Sequence, residues 1–302
     1  MKKINPKTIL LLGASGFVGQ AIFQHFSQQK EYQLIGTYYT HLPETNTKPD
    51  SRIRNINVLE DKKLKLFLEE TKPDIIINTI AIPNIDLCEE NHQTCDLINI
   101  NPTKTITAYC HNHPKTKYIF FSSDHIFDGT KKSQYTEIDP PSPANYYGQT
   151  KLACEQQIIT TCSNYVILRP CFIFGPTQPH NHQNLLTTIY STILQKKTFH
   201  AYTDKIRSPC YIQDIPKIIK QLIKKDKRGI FNLGGETLSV YEFAQKIAAH
   251  YQLDQKKIIG ITSTNQEKVP RPQNCSLDHT KTEKELDITF TPISDALNKI
   301  RL

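Results

Sequence analysis

Thr8-Ile9-Leu10-Leu11-Leu12-Gly13-Ala14-Ser15-Gly16-Phe17-Val18-Gly19 is the stretch whose reading decides the fold. The unbroken apolar run up to Leu12 reads as a strand buried on both faces. It ends in a Gly-x-x-Gly-x-x-Gly turn, after which Phe17, Val18, Ala21, Ile22 and Phe26 recur at helical spacing. Strand, turn and helix together make a phosphate cradle. Gly13 permits the tight turn, Gly16 lets backbone N–H groups approach a pyrophosphate, and Gly19 lets helix and strand pack closely. The helix N-terminus adds partial positive charge for the phosphates. Dinucleotide binding is therefore the expectation, with an ordinary Gly-rich strand–helix turn as the alternative.

Working outward, strands are predicted at 7–12, 33–38, 53–58, 74–81, 117–122 and 164–169, with helical patterns at 17–29, 60–70, 92–112 and 144–162. Such alternation predicts an α/β fold with a doubly wound parallel sheet, ligands binding outside the carboxyl ends of the strands. Beyond residue 170 the pattern loosens: a helix near 183–196, a strand near 199–203, a basic helix 212–225, a strand 229–234, and helices 240–251 and 293–301. Ser239-x-x-Glu242 is a capping box for the 240–251 helix. The polar stretch 40–52 reads as a surface loop. The domain reading is 1–170 for dinucleotide binding, with 207–233 returning to it, and 171–302 as a smaller C-terminal α/β substrate domain.

Composition narrows the classes. A chain of 302 residues has ample length for a core and for about two domains. No apolar run approaches the roughly 20 residues that span a bilayer, which argues against membrane insertion. Met1 to Pro6 run straight into the first strand and leave no room for a signal peptide, so a cytoplasmic location is expected. The eight cysteines show no Cys-x-x-Cys pair and read as reduced, buried thiols, with no metal site among them. The net charge of +8 is dispersed. Its densest group, Lys217 to Arg228, alternates with isoleucines and leucines as the solvated face of an amphipathic helix. Nucleic-acid binding is not expected, whereas a doubly anionic nucleotide would be attracted.

Tyr147-Gly148-Gln149-Thr150-Lys151 puts a phenol and an ammonium four residues apart, a spacing that occurs once in the chain and shares one helix face. The ammonium is expected to lower the phenol's pKa from about 10 and make it a usable proton donor or acceptor. Ser122-Ser123-Asp124 ends the strand some 25 residues upstream, so hydroxyl, phenol and amine could converge on one carbonyl. The plain alternative for the serines is turn chemistry at a strand end.

These residues resemble the extended short-chain dehydrogenase/reductases, and within them the branch of dTDP-4-dehydrorhamnose reductases and related sugar-nucleotide reductases. The matches run in the family's order: Gly13 to Gly19; Asn78 through Asp86-Leu-Cys-Glu89; Asn99; Ser122-Ser-Asp-His-Ile-Phe-Asp-Gly129; Tyr147-x-x-x-Lys151 then Glu155; Leu168-Arg-Pro170; Asp204-x-x-Arg-Ser-Pro209; Arg271-Pro-x-Asn274. The resemblance implies a modified Rossmann fold and reduction of a 4-keto group on a nucleotide-linked deoxysugar. Tyr147 would protonate the carbonyl oxygen, Ser123 would hydrogen-bond the same oxygen, and Lys151 would bind the nicotinamide ribose. It further implies cofactor contacts from Gly13, Ser15, Gly16, Phe17, Val18, Gly19, Asn57, Val58, Thr79, Ile80, Ala81, Asn99 and Pro170. Asp124 and His125 would line the sugar pocket, where relatives commonly show Asp-Tyr. Arg207 and Arg271 would serve as diphosphate ligands, since a planar guanidinium suits bidentate phosphate contacts; surface arginine is the alternative.

Cofactor choice turns on the end of the second strand. Gly36-Thr37-Tyr38-Tyr39-Thr40 carries no acid to hold a ribose 2′-OH, so NADP(H) is preferred over NAD(H), with Thr37 and Tyr38 as contacts. A homodimer is left open. Ser208-Pro209-Cys210 and Cys275 depart from the family's hydroxyl-bearing versions of those segments and leave the sugar open. Two rival readings stand beside the reductase: a nucleotide-sugar epimerase or dehydratase, and a non-catalytic NADP-binding regulatory subunit resembling the β subunit of methionine adenosyltransferase.

Overall fold

The computed structural model describes residues 6–43, 52–177, 184–263 and 268–302. The 44–51 part of the expected 40–52 loop, residues 1–5 and the first residue of the expected 183–196 helix lie outside them. Strand β1 (Lys7–Leu12) is fully buried from Ile9 to Leu12, as an apolar run between two helical layers should be. It lies between β2 (Tyr32–Tyr38) and β4 (Ile75–Asn78), both parallel to it, with β3 (Ile53–Asn55) beyond β2. The seven-stranded parallel sheet runs Gly229–Leu233, β6 (Tyr165–Pro170), β5 (Lys117–Phe121), β4, β1, β2, β3. This is a Rossmann-type α/β sheet, and the order reverses at β1, where the glycine turn sits.

Two strands stop earlier than the apolar pattern predicts, each at an asparagine. Asn57 Oδ1 accepts the Leu59 N–H at 3.1 Å and turns the chain after β3. Asn78 Oδ1 accepts the Ile80 N–H at 3.0 Å and ends β4. The expected 92–112 helix is instead a helical run broken by a π turn at Asp96–Ile100 before the Asn101–Asn112 helix. Pro102 explains the wide turn, because it donates no N–H and its ring crowds the preceding turn. A short helix (Ile85–Glu90) precedes it unannounced by any periodicity.

The reading of eight reduced thiols needs correction. Cys88 and Cys95 form a disulfide, their Cα atoms 5.3 Å apart. Asn91, whose side chain accepts the Thr94 N–H at 3.0 Å, reverses the chain between them. That turn brings together residues seven apart, a spacing no common motif flags. The other six cysteines are free and buried.

The chain divides into two compact units. The first comprises Met1–Ser122, Gln149–Leu168 and Ile215–Ile230; the second comprises Ser123–Gly148, Arg169–Asp214 and Phe231–Leu302. Relative to the division at residue 170, the segment 123–148 groups with the C-terminal part, and the returning stretch is shorter than 207–233. In the first unit Leu64, Leu68, Ile106, Tyr118, Phe120, Ile158 and Ile167 pack into one core beside Leu10 and Leu12. In the second, Ser239 and Glu242 form the expected capping box on the Val240–His250 helix. That helix buries Phe243 against Phe172 and Phe174. Ile258–Ile261 pairs in parallel with Phe199–Tyr202.

Candidate functional site

In the first unit the Gly13–Gly19 turn is built as its sequence requires. Gly13 has φ +84°, and a Cβ there would stand 2.8 Å from Thr79 Oγ1. A Cβ on Gly19 would fall on the carbonyl oxygen of Gly13, so glycine is what lets helix α1 (Phe17–Phe26) close onto β1. A Cβ on Gly16 would meet nothing but Gly13 O, at 3.4 Å. Neighbouring protein does not demand glycine at position 16; an approaching ligand backbone would. Gly16 is also the N-cap of α1 and offers no side-chain cap, which leaves first-turn N–H groups to an anion. Residues Ser15, Phe17 and Val18 stand on that turn, and the arrangement fits a dinucleotide diphosphate. Substituting Gly19→Ala is expected to cost on the order of 2 to 4 kcal/mol, because the clash is backbone on backbone. Thermal unfolding would fall by about 5 to 10 °C, with NADPH binding weakened in parallel.

Thr37 does different work from the cofactor contact expected of it. It is 1% exposed, its Oγ1 accepts the Gly13 N–H at 3.3 Å, and its carbonyl accepts the Ala14 N–H at 2.7 Å. It buttresses the glycine turn from behind. Thr79 acts alike, donating to Leu12 O at 2.8 Å and lying 3.2 Å from Gly13 O. Tyr38, at the end of β2, and Asn57, Val58, Ile80 and Ala81, after β3 and β4, are half-buried at the carboxyl edge of the sheet.

Asn99 sits at the π turn and is 2% exposed. Its Oδ1 accepts the Ile82 N–H at 2.8 Å, while Nδ2 donates to Thr150 Oγ1 at 3.2 Å and to Cys95 Sγ at 3.1 Å. One side chain thus ties the loop after β4 to the Tyr146–Thr161 helix. Lys151, on that helix, is 2% exposed; its ammonium donates to Phe121 O at 2.8 Å and lies 5.0 Å from the centre of the Phe120 ring. Burial lowers its pKa to about 8, against the partial support of the neighbouring Cys154 and Glu155 charges.

In the second unit β5 gives way to Ser123 in extended conformation, and Ser123 Oγ caps a short 3-10 turn by accepting the His125 N–H at 3.1 Å. Ser123 is hydrogen-bonded to Tyr147, which is 8% exposed. The pKa expectation for Tyr147 is reversed. Burial pushes the phenol well above its usual 10, the Ser123 hydrogen bond opposes the rise, and the Asp124 charge adds to it. Desolvation of a phenolate outweighs the charge argument made from spacing. The phenol is held proton-loaded across the neutral range.

His125 packs edge-on to Tyr147, ring centres 6.0 Å apart. Burial lowers its pKa, opposed by Asp124 and reinforced by Arg207, Arg271 and Lys205, so the ring is neutral at pH 7. Sequence reasoning missed the residue that orders this region, Asn145. It is 1% exposed; Nδ2 reaches His125 Nδ1 and donates to Pro270 O, each at 3.1 Å, and Oδ1 accepts the Gly148 N–H at 3.0 Å. The Nδ2 donation puts the proton of the neutral imidazole on Nε2. Asn at the start of a helix three residues before Gly148 is the signal that could have found it. Gly148 is the other: a Cβ there would strike His125 O.

Arg207 is also recast. It is 7% exposed, and its guanidinium donates to the carbonyls of Ile206, Pro272 and Gln273 at 2.8 to 2.9 Å and pairs with Asp124. With three of its five N–H donors on backbone carbonyls, this guanidinium is a structural anchor. Arg271 is half-buried, with Nη1 donating to Val269 O at 3.3 Å. Pro170, at the end of β6, is buried.

A family model described as the RmlD substrate binding domain matches residues 7–301. Methionine adenosyltransferase 2 subunit beta of Xenopus laevis is 26% identical over 288 residues, covering 93% of this chain and 83% of that one. The spore coat polysaccharide biosynthesis protein SpsK of Bacillus subtilis (strain 168) is 26% identical over 277 residues, covering 91% and 90%. Among solved structures, dTDP-4-dehydrorhamnose reductase of Bacillus anthracis str. Ames in complex with NADP is similar with a TM-score of 0.84 and 20% identity, covering 98% of each chain.

Proposed function

The chain belongs to the RmlD substrate-binding-domain family, and from that premise we propose that it reduces a 4-keto group on a nucleotide-linked deoxysugar with NADPH. The observation that carries the reading is the buried Ser123–Tyr147 hydrogen bond just beyond β5. The cofactor, when bound, supplies the hydride to the carbonyl carbon. The turn from Gly13 to Gly19 holds its diphosphate, with Gly16 and the first-turn N–H groups of α1 against the phosphates. Residues Asn57, Val58, Ile80, Ala81 and Asn99 are proposed to line its course, with Pro170 near the nicotinamide.

Tyr147 donates the proton to the carbonyl oxygen, a role for which a phenol kept protonated by burial is loaded in advance. Ser123 steadies the same oxygen. Lys151 lies one helical turn beyond Tyr147 on the same helix and is proposed to hold the nicotinamide ribose hydroxyls. NADPH is the preferred cofactor and NADH the alternative. His125 and Arg271 are proposed on the sugar-nucleotide side. Among the described residues no helix is long and apolar enough to cross a membrane, and we place the activity in the cytoplasm, with no nucleic-acid partner.

The test mixes the purified chain with NADPH and a panel of keto-sugar nucleotides and follows loss of the reduced nicotinamide absorbance. Mole-for-mole oxidation of NADPH supports the reductase reading. A second reading follows from the 26% identity with a methionine adenosyltransferase β subunit. On that reading the chain binds NADP but turns nothing over, and acts by changing the activity of a catalytic partner. Cofactor binding with no turnover on any panel member would favour it.

A further inference from the structure

The Cys88–Cys95 link in the first unit serves no step of the proposed reduction. It closes a short loop, residues 88–95, and so restrains one local turn rather than the chain as a whole. Both cysteines are fully buried, yet they are the only buried residues between 83 and 97. Their cover is a helix of six residues (Ile85–Glu90) and one of four (His92–Cys95). Helices this short hold together through few backbone bonds and open locally at low cost. A disulfide under so thin a cover is within reach of thiol–disulfide exchange, and cytoplasmic disulfides are usually transient rather than structural.

The link lies against the residues that hold the loop after β4. Asn99 Nδ2 donates to Cys95 Sγ at 3.1 Å and stands 3.4 Å from Ile82 O, while Asn99 Oδ1 accepts the Ile82 N–H at 2.8 Å. Cys88 Sγ lies 3.7 Å from the same Ile82 carbonyl. In the disulfide both sulfurs can only accept. Reduction puts a proton on each, so Cys88 gains a donor facing Ile82 O and competes there with Asn99 Nδ2. It also frees the 88–95 turn against which the Asn99 amide rests. The two oxidation states therefore hold Ile82 differently, and Ile80 and Ala81 just before it stand on the proposed course of the cofactor.

We propose that Cys88 and Cys95 are a redox-sensitive modification site, whose disulfide holds the 79–82 loop in its NADPH-binding form through Asn99. The proposal rests on the cofactor site of the reductase reading. A protein dithiol would open the link: one thiolate attacks a sulfur, the S–S bond breaks into a mixed disulfide, and the second thiol displaces the chain. The reductant leaves as a disulfide, and Cys88 and Cys95 keep two electrons and two protons as thiols. Glutathione disulfide, itself reduced to two glutathiones, would close the link again. The closed form has its loop ordered in advance, so it binds the cofactor more tightly.

The test compares the full chain after dithiothreitol with the same chain after glutathione disulfide, free thiols being counted by alkylation and mass. Reduction is expected to weaken NADPH binding about 3- to 10-fold, reversibly. It should also speed hydrogen exchange at the Ile82 amide about 10-fold or more, because the Asn99 acceptor is less firmly held. The variant Cys88→Ser/Cys95→Ser keeps the other six cysteines and should behave as the reduced form under both treatments. If it does not fold, Cys95→Ala alone prevents the link and makes the same comparison. Affinity and Ile82 exchange unchanged by reduction, a shift that persists in the variant, or a link that dithiothreitol opens only on unfolding would each overturn the proposal. Turnover on the keto-sugar panel separates the two levels. NADPH bound and oxidised equally in both forms ends the redox site alone, whereas no NADPH binding in either form ends the cofactor reading with it.

Discussion

Replacing Tyr147 by Phe is expected to cut NADPH-dependent reduction by about 10²- to 10⁴-fold, the usual worth of a positioned general acid. The change deletes one hydroxyl and keeps the ring that packs against His125. Fold and cofactor affinity should therefore stay near those of the parent chain. Removing a buried hydroxyl leaves Ser123 one partner short, so a small loss of stability, about 1 kcal/mol, accompanies the variant. Steady-state turnover and NADPH binding, measured side by side, check both halves. Activity and affinity falling together would point to misfolding, and turnover unchanged would remove Tyr147 from the chemistry.

The second large effect has opposite signs in activity and stability. Lys151→Met should lower kcat/KM by about 10²-fold or more, since the proposed ribose contact is lost along with a positive charge near the reacting centre. Yet the Met variant is expected to melt about 2 to 5 °C higher at pH 7, because a buried ammonium is expensive to desolvate. The pH dependence fixes the sign. The pKa of Lys151 is lowered from 10.5 to about 8 in the folded chain. Below pH 8 both folded and unfolded chains carry the charge, and the folded state bears the full desolvation cost. As pH rises from about 8 towards 10.5, the folded lysine loses its proton before the unfolded one does, and the cost is relieved. The stability gap between variant and parent should thus be widest below pH 8 and shrink above it. Calorimetry across that range reads the gap directly. Turnover of the parent chain should decline over the same window as Lys151 discharges, while Tyr147 stays protonated.

Much of this molecule could be read from residue order, and the exceptions share a cause. Ile9 to Leu12 and Ile75 to Ile77 announce buried strands because every residue is apolar, and both segments are fully enclosed. Gly13, Gly16 and Gly19 announce the turn because each answers a separate steric demand. What spacing could not show is where a polar side chain spends its hydrogen bonds. Thr37 looked like a cofactor contact from its place at a strand end, and nothing in its spacing showed that its hydroxyl oxygen accepts the Gly13 N–H. Arg207 looked like a phosphate fork, but its donors go to backbone carbonyls some 65 residues away. The pair Tyr147 and Lys151 was legible as a pair. The direction of the Tyr147 shift was not, because burial is a property of the packed chain. Asn145 and the Cys88–Cys95 link escaped for the same reason, since each depends on a turn that brings its partners round.

The central claim is hydride delivery to a keto carbon, with Tyr147 completing the alcohol. It is tested most directly by NADPH carrying deuterium at its transferable position, incubated with a 4-keto-sugar nucleotide and followed by NMR. One deuterium is expected on the former carbonyl carbon for every NADP+ formed, with labelling about 10²- to 10⁴-fold slower when Tyr147→Phe replaces the parent chain. A sugar that stays unlabelled while the cofactor keeps its deuterium, or that changes with no net oxidation of NADPH, would contradict it.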